Sequence, residues 1–344
     1  DTLSLHDALP ILIMVTGDTV DTARVISRQA GLGDRFGDAA RDLQAPLHFD
    51  GFANFYPEEK FRLVQSLQQT GCIVGMTGDG VNDAPALKRA DIGVAMGMKG
   101  TEAAKEAAGM VLADDNFATL RTAVLEGRTV YDNLRKALVF LLPTNGGQAL
   151  VMVAAILLGI TLPITPVQIL WINMVSAITL SLPLVFDKAA ADLMQRAPRQ
   201  NDEALLSNIL LFRIAFVSVL LMGLTLVLYN WSTLHQADLA RARTVAINSL
   251  VGAEMVYLIS CRSLLNSTLS LTSWLDNGYA LLAIFLLSLM QLALTYLPFM
   301  HALFGTAALD LHDWLIIVAS CLLLYLLMEA EKKLTPRLLF RNEK

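Results

Sequence analysis

The stretch Met76-Thr-Gly-Asp-Gly-Val-Asn-Asp-Ala-Pro-Ala-Leu87 decides how this chain reads. The apolar run Cys72-Ile-Val-Gly-Met76 before it predicts a buried strand. That run ends in a glycine-rich turn carrying Asp79 and Asp83, with Asn82 beside the second acid. Ligands bind at the carboxyl ends of strands in open α/β sheets. Glycines let backbone approach a phosphate, and paired carboxylates hold a hard cation such as Mg²⁺ through oxygen. The combination points to phosphoryl-transfer chemistry. A structural Gly-Asp turn in an unrelated α/β protein is the plain alternative.

Two further segments carry compatible chemistry. Met14-Val-Thr-Gly-Asp18 follows an apolar run and precedes a helical stretch, Thr19 to Ala30. A hydroxyl and backbone amides at such a turn can grip phosphate oxygens. Phe55-Tyr-Pro-Glu-Glu-Lys60 opens another helix, with Pro57 at its start and two glutamates at its positive end. Read alone, Lys60 is a solvated surface lysine.

The order and wording of residues 76–87 closely resemble the hinge motif of P-type ATPases, the cation pumps that form an aspartyl-phosphate. The match is to the calcium and sodium/potassium group, because six apolar runs follow the motif. The resemblance implies a partial haloacid-dehalogenase-like, Rossmann-like α/β phosphorylation domain followed by an all-α bundle of six transmembrane helices. It implies that Thr16 and Gly17 contact the transferred phosphoryl group and that Asp18 shapes their turn. It also implies that Lys60 offsets phosphoryl charge, that Asp79 and Asp83 serve the Mg²⁺ site, and that Asn82 orders the loop beside them. Mg²⁺ and ATP are the implied cofactors of the full-length protein.

Composition agrees with a membrane protein bearing a water-soluble part: 55% of the 344 residues are hydrophobic and the mean hydropathy is positive. The net charge of −5 argues against a nucleic-acid partner. Cys72, Cys261 and Cys321 stand far apart and are expected to be buried thiols rather than disulfides or metal ligands. The five histidines do not cluster. A bilayer span needs roughly 20 residues. Runs of suitable character lie near Ala137–Leu158, Ile164–Phe186, Ile209–Tyr229, Thr244–Cys261, Tyr279–Phe299 and Asp313–Ala330. With the N-terminal part in the cytoplasm, that side gathers Lys188, Arg196, Arg199, Arg262, Lys332, Lys333, Arg337, Arg341 and Lys344. The opposite side holds Arg241 and Arg243. Basic residues favour cytoplasmic loops. The expected organisation is a phosphorylation-domain portion over 12–115, a stalk helix over 116–136, six spans over 137–330 and a short basic tail over 331–344. The expected setting is a multi-pass protein of the cell membrane with both ends cytoplasmic.

The polar residues inside the spans are the candidate ion ligands. Pro143-Thr-Asn-Gly-Gly-Gln148 is expected to interrupt the first span, and Trp171-Ile-Asn-Met-Val-Ser176 lies in the second. Intramembrane polar groups face a partner or an ion path, and Pro and Gly free carbonyls that can ligate cations. By position these match the ion-site helices of the cation pumps, which makes Asn145, Gln148, Asn173 and Ser176 candidates. Packing between helices is the alternative use of such residues. Glu254 matches an acid position of calcium pumps; a protonated structural Glu is its alternative. Gln148 and Ala177 stand where calcium pumps carry acids, so two calcium ions at the usual site are not expected. A monovalent ion, a single divalent ion or an organic cation fits as well. The transported cation, the lipid bilayer and the missing N-terminal part of the same pump are the implied partners.

Residues 1–11 read as the translation of a sequencing-library adapter, with a native N-terminal strand as the alternative. No Asp-Lys-Thr-Gly-Thr segment with a nucleophilic aspartate occurs in the sequence. The chain by itself is therefore expected neither to form a phosphoenzyme nor to pump. Two other functional readings stand beside the pump. One is a non-catalytic membrane protein that keeps a dehalogenase-like domain, and the other is a dehalogenase-type phosphatase fused to an unrelated channel or scaffold.

Overall fold

The computed structural model describes residues 11–38, 41–190, 192–196, 204–264, 268–269 and 277–339. The expected foreign segment 1–11 falls almost wholly outside them. The chain divides into two compact units, one of residues 1–128 and 190–203 and the other of 129–189 and 204–344.

The first unit alternates short strands with helices: β1 (Met14–Val15), α1 (Val20–Gln29), β2 (Phe36–Gly37), β3 (Gly51–Phe52), α2 (Pro57–Gln69), β4 (Gly75–Gly78), α3 (Ala84–Arg89), β5 (Ile92–Met96), α4 (Glu102–Ala107) and β6 (Met110–Leu112). All strand pairs are parallel, in the orders β1-β3-β2 and β4-β5-β6. Local chemistry fixes the ends. Gly31 and Gly71 adopt φ of +73° and +85° just after α1 and α2, where a side chain would be strained. Pro57 opens α2, and the Glu59 carboxylate accepts the Tyr56 N–H at 2.5 Å. One buried cluster, including Phe52, Phe55, Leu63, Val64, Val74 and Ala86, packs against Val15 of β1 and Met76 of β4.

The strand of the decisive motif lies later than its apolar run suggests. β4 covers Gly75–Gly78, and Ile73 is 63% exposed while Val74 is buried. Among the described residues β4 pairs with β5 only, so its approach has no second strand beside it there. Cys72 is correspondingly half-buried rather than buried, whereas Cys261 and Cys321 are buried; all three are free thiols.

Among the described residues, six helical segments are long and apolar enough to cross a membrane. The first lies in α5, a continuous helix over Phe117–Leu157. The second is broken into α6 (Pro166–Trp171), a π-helical turn (Ile172–Ala177) and α7 (Ile178–Val185). The others are α8 (Asn208–Leu234), α9 (Leu239–Cys261), α10 (Gly278–Tyr296) and α12 (Leu311–Leu339), with the short α11 (Pro298–Phe304) between the last two. Helix α9 is buried nearly all round, mainly against α8 and α12, and its buried residues include the polar Asn248, Glu254 and Ser260. At one end of this bundle Arg243 Nε donates to the Leu162 carbonyl, 3.1 Å, and Arg241 binds Asp313, 2.7 Å.

Pro143 does not interrupt the first span, contrary to its reading from sequence. A proline inside a helix lacks the N–H that residue i−4 needs, here the carbonyl of Val139. Tyr257 of α9 supplies the replacement: its hydroxyl donates to Val139 O at 2.6 Å, and both residues are buried. Thr144 and Asn145 fold back onto carbonyls one turn earlier, and Ser218 Oγ donates to Pro143 O at 3.4 Å. With the freed acceptor met from α9, the helix runs on. Tyr257→Phe leaves Val139 O orphaned, and the expected cost is about 1–2 kcal/mol. Detergent-solubilised unfolding of this variant checks it; unchanged stability would show that another donor replaces the phenol.

Candidate functional site

The carboxyl ends of β1 and β4 carry the candidate phosphoryl-transfer residues. Thr16 follows β1 directly, and its N–H donates to Phe52 O at 3.0 Å while its carbonyl accepts the Phe55 N–H at 3.0 Å. Thr16 Oγ1 pairs with Asp18, donating to Oδ2 at 3.1 Å and accepting the Asp18 N–H at 3.1 Å. Asn54, at φ +58°, donates its N–H to Asp18 O at 2.8 Å. The turn from Thr16 to Asp18 is thus tied at both ends to the segment leading into α2. Gly17 and Asp18 are exposed and Thr16 is half-buried.

Lys60 sits in the first turn of α2 and reaches the other turn. Its Nζ lies 2.7 Å from Asp83 Oδ1, with both side chains largely shielded. Asp83 closes the 3₁₀ turn Val81–Asp83 that follows β4, and its Oδ2 accepts the Gly80 N–H at 3.2 Å. Gly78 makes this fold-back feasible, since a Cβ there would stand 2.6–2.7 Å from the Asp83 side chain. Asp79 is exposed; its backbone carbonyl accepts the Thr101 N–H at 2.8 Å, which leaves the carboxylate on the open side of the turn. Asn82 is exposed as well. The structure therefore brings Lys60 and Asp83 together and places Thr16, Gly17, Asp18, Asp79 and Asn82 on two neighbouring turns of the same unit. Among the described residues, no hydrogen bond or ion pair joins Thr16 or Asp18 to Lys60, Asp79 or Asp83.

The donor set suits Mg²⁺ better than a tightly chelated metal. Among the described residues no three His, Cys, Asp or Glu side chains gather into a metal-holding group. Mg²⁺ typically takes one or two protein carboxylates and fills its remaining positions with water and substrate phosphate. Asp79 and Asp83 supply that number. Asp91 fixes the opposite end of β4, at its start: Val74 N–H and the Gln68 amide bind Asp91 Oδ2 at 2.8 and 3.1 Å and hold its carboxyl below the usual carboxylate range.

Inside the bundle, Gln148 of α5 donates its amide to Glu254 Oε1 of α9 at 3.1 Å, and both side chains are buried. Ser176 lies buried in the π-helical turn, and among the described residues its hydroxyl has no hydrogen-bond partner. Asn145 and Asn173 are exposed on the described bundle; the Asn145 amide donates to Leu141 O at 2.9 Å. The structure thus joins two of the five candidate ion ligands directly.

Residues 161–334, just over half of the chain, match the family model described as cation transporting ATPase, C-terminus. The chain belongs to the cation-transporting P-type ATPases. Residues 2–91 of this ATPase chain match a second model, haloacid dehalogenase-like hydrolase. The chain is 44% identical to the cation-transporting ATPase pma1 of Synechocystis sp. over 335 residues, which covers 92% of this chain and 37% of that protein. It is 45% identical to the probable cation-transporting ATPase F of Mycobacterium bovis over 348 residues, 97% of this chain and 38% of that protein. It is 37% identical to a calcium-transporting ATPase of Bacillus subtilis over 319 residues, 89% of this chain and 36% of that protein. The ATPase chain therefore spans little more than a third of these relatives.

Sequence reading missed Gly78 as the space for the Asp83 side chain and Tyr257 as the donor that rescues α5. The signal for the second is Pro143 itself, which announces an acceptor in search of a partner.

Gly78→Ala is expected to expel the Asp83 carboxylate and break the Lys60 contact, lowering stability by about 1–3 kcal/mol. An unchanged unfolding midpoint would show that Asp83 has room beside a Cβ. Because the folded state depresses the Asp91 pKa, its contribution to stability is present above the unfolded pKa and fades as pH falls through the depressed one. Asp91→Asn should accordingly lower stability near neutral pH and flatten the acid side of an unfolding profile; an unaltered profile refutes this.

Proposed function

We propose that the intact protein is an ATP-driven cation transporter. Its chemistry would pass through an aspartyl-phosphate, and this chain would supply part of the phosphorylation site and six of the membrane spans. The observation that carries the reading is the Lys60–Asp83 pair beside the open Asp79 carboxylate, at the carboxyl end of a parallel sheet. A cation and two acids at that place suit an incoming phosphoryl group and its metal. Mg²⁺ held by Asp79, with Asp83 beside it, would offset charge on the phosphoryl oxygens.

This chain's own residues divide the remaining work. Lys60 would trade its contact with Asp83 for a phosphoryl oxygen, and the Thr16 hydroxyl and Gly17 N–H would bind others. Asp18 would hold the Thr16 hydroxyl in place, as it does through their mutual hydrogen bonds. Asn82 would order the loop that carries Asp83. Among the described residues β1 and β4 pair with only one strand each, while Val15 and Met76 share one buried cluster. Their open edges could receive a further strand from the upstream part of a longer chain, bringing the nucleophilic aspartate that this sequence lacks.

For transport, Gln148 and Glu254 would form the buried part of the cation site, with Ser176 from the π-helical turn. Asn145 and Asn173, exposed on this bundle, would face spans contributed by the rest of the protein, since polar side chains are costly against lipid. Amides and one acid favour a monovalent ion or a single divalent ion over a calcium pair. Nine basic residues against two support a cytoplasmic location for the first unit and the tail, and placement in the cell membrane follows the same reading.

In the full-length protein, Asp79→Asn is expected to abolish Mg²⁺-dependent phosphorylation from ATP, and normal phosphoenzyme levels would refute the assignment. Gln148→Ala is expected to raise the cation concentration for half-maximal ATP hydrolysis about tenfold. An unchanged cation dependence would take Gln148 out of the site. A protein with neither phosphoenzyme nor cation-stimulated hydrolysis would favour the non-catalytic alternative.

A further inference from the structure

The end of the second span is finished by side chains that its own sequence does not provide. Helix α7 stops at Val185, and the last carbonyls of a helix have no partner within it. Asn133 Nδ2 of α5 donates to Val185 O at 3.1 Å and to Asp187 O at 2.9 Å. Asn277 Nδ2, just before α10, donates to Pro183 O at 3.3 Å. The cap of α7 is therefore built from two other elements.

A single carboxylate sits at the centre of that cap. The Asp187 side chain is only 7% exposed. Its Oδ2 lies 2.6 Å from Lys136 Nζ of α5, and its Oδ1 accepts from Arg262 Nε beyond α9 at 3.4 Å and from Asn277 Nδ2 at 3.2 Å. Lys136 Nζ also donates to Asn133 Oδ1 at 3.3 Å, which closes the ring of contacts. Four elements thus meet on one acid. Two of them, α5 and the second span, carry Gln148 and Ser176. Lys136 is twelve positions before Gln148, about 18 Å along α5, so Asp187 cannot touch an ion held there.

Resting on the transport reading above, we propose that Asp187 is a positioning residue for the cation site. Its carboxylate, gripped by Lys136, Arg262 and Asn277, fixes the middle of α5 against the end of α7 and so sets the spacing of Gln148 from Ser176. Neutralising the acid takes this carboxylate from Lys136 in a shielded place, which favours separation of the two helices there. Loss of the tie then acts on cation affinity rather than on the phosphoryl-transfer residues of the first unit.

The test uses the full-length protein in membrane vesicles, with ATP hydrolysis titrated separately with Ca²⁺, Mn²⁺, Na⁺ and K⁺ chlorides. For the stimulating cation, Asp187→Asn is expected to raise the half-activating concentration at least about fivefold, with turnover at saturation within about twofold of wild type. Asp187→Glu should recover most of the affinity, because it restores the anion. Lys136→Met should give a smaller rise, and it carries the same readout if Asp187→Asn does not accumulate as folded protein. An unchanged half-activating concentration in Asp187→Asn overturns the inference. So does a uniform loss of turnover at unchanged affinity, which marks a structural role only. Absence of cation-stimulated hydrolysis in the unmodified protein overturns the transport reading itself, an outcome distinct from the other two.

Discussion

The carbonyl of Val139 has no donor in its own helix because Pro143 brings no N–H, and a phenol on another helix must meet it. In an apolar slab an unmet backbone group costs several times what it costs near water, so this one requirement orders its surroundings. It holds α9 against α5, and one turn closer to the membrane interior on α9 the same pairing of helices buries Glu254 against Gln148. Phe140 and Tyr257 stack with centroids 5.9 Å apart, which adds apolar contact to the hydrogen bond. Helix α9 becomes the axis of the bundle, wrapped by α8 and α12, and its C-terminal end, at Ser260, is met by Arg213, Glu329 and Lys332.

A related economy governs the first unit. The turns after β1 and β4 are short, and glycine supplies space rather than flexibility at Gly78, where the Asp83 side chain comes within 2.6–2.7 Å of where a Cβ would stand. Lys60 and Asp83 hold each other in a shielded site, 2.7 Å apart.

Much of this was legible in the sequence. The residues of the Met76–Leu87 stretch act locally: glycines, acids and a proline have the same meaning in a turn wherever the turn sits. The spans were legible because length and apolarity are local sums. Pro143 was misread because the group that rescues its helix lies 118 residues from Val139 along the chain. The π-helical turn at Ile172–Ala177 left no mark in an apolar run, since any of those residues would serve in an ordinary helix. Cys72–Met76 looked like a covered strand because apolarity does not say whether a neighbour is present on each side. Asp187 carried no motif at all; its meaning comes from three distant side chains that converge on it.

The dependence of α5 on α9 also bears on biosynthesis. A ribosome delivers the proline-bearing span to the insertion machinery about a hundred residues before the tyrosine that completes it, a delay on the order of ten seconds at ordinary elongation rates. Throughout that interval the nascent first span holds one unfilled acceptor and an unmatched glutamine.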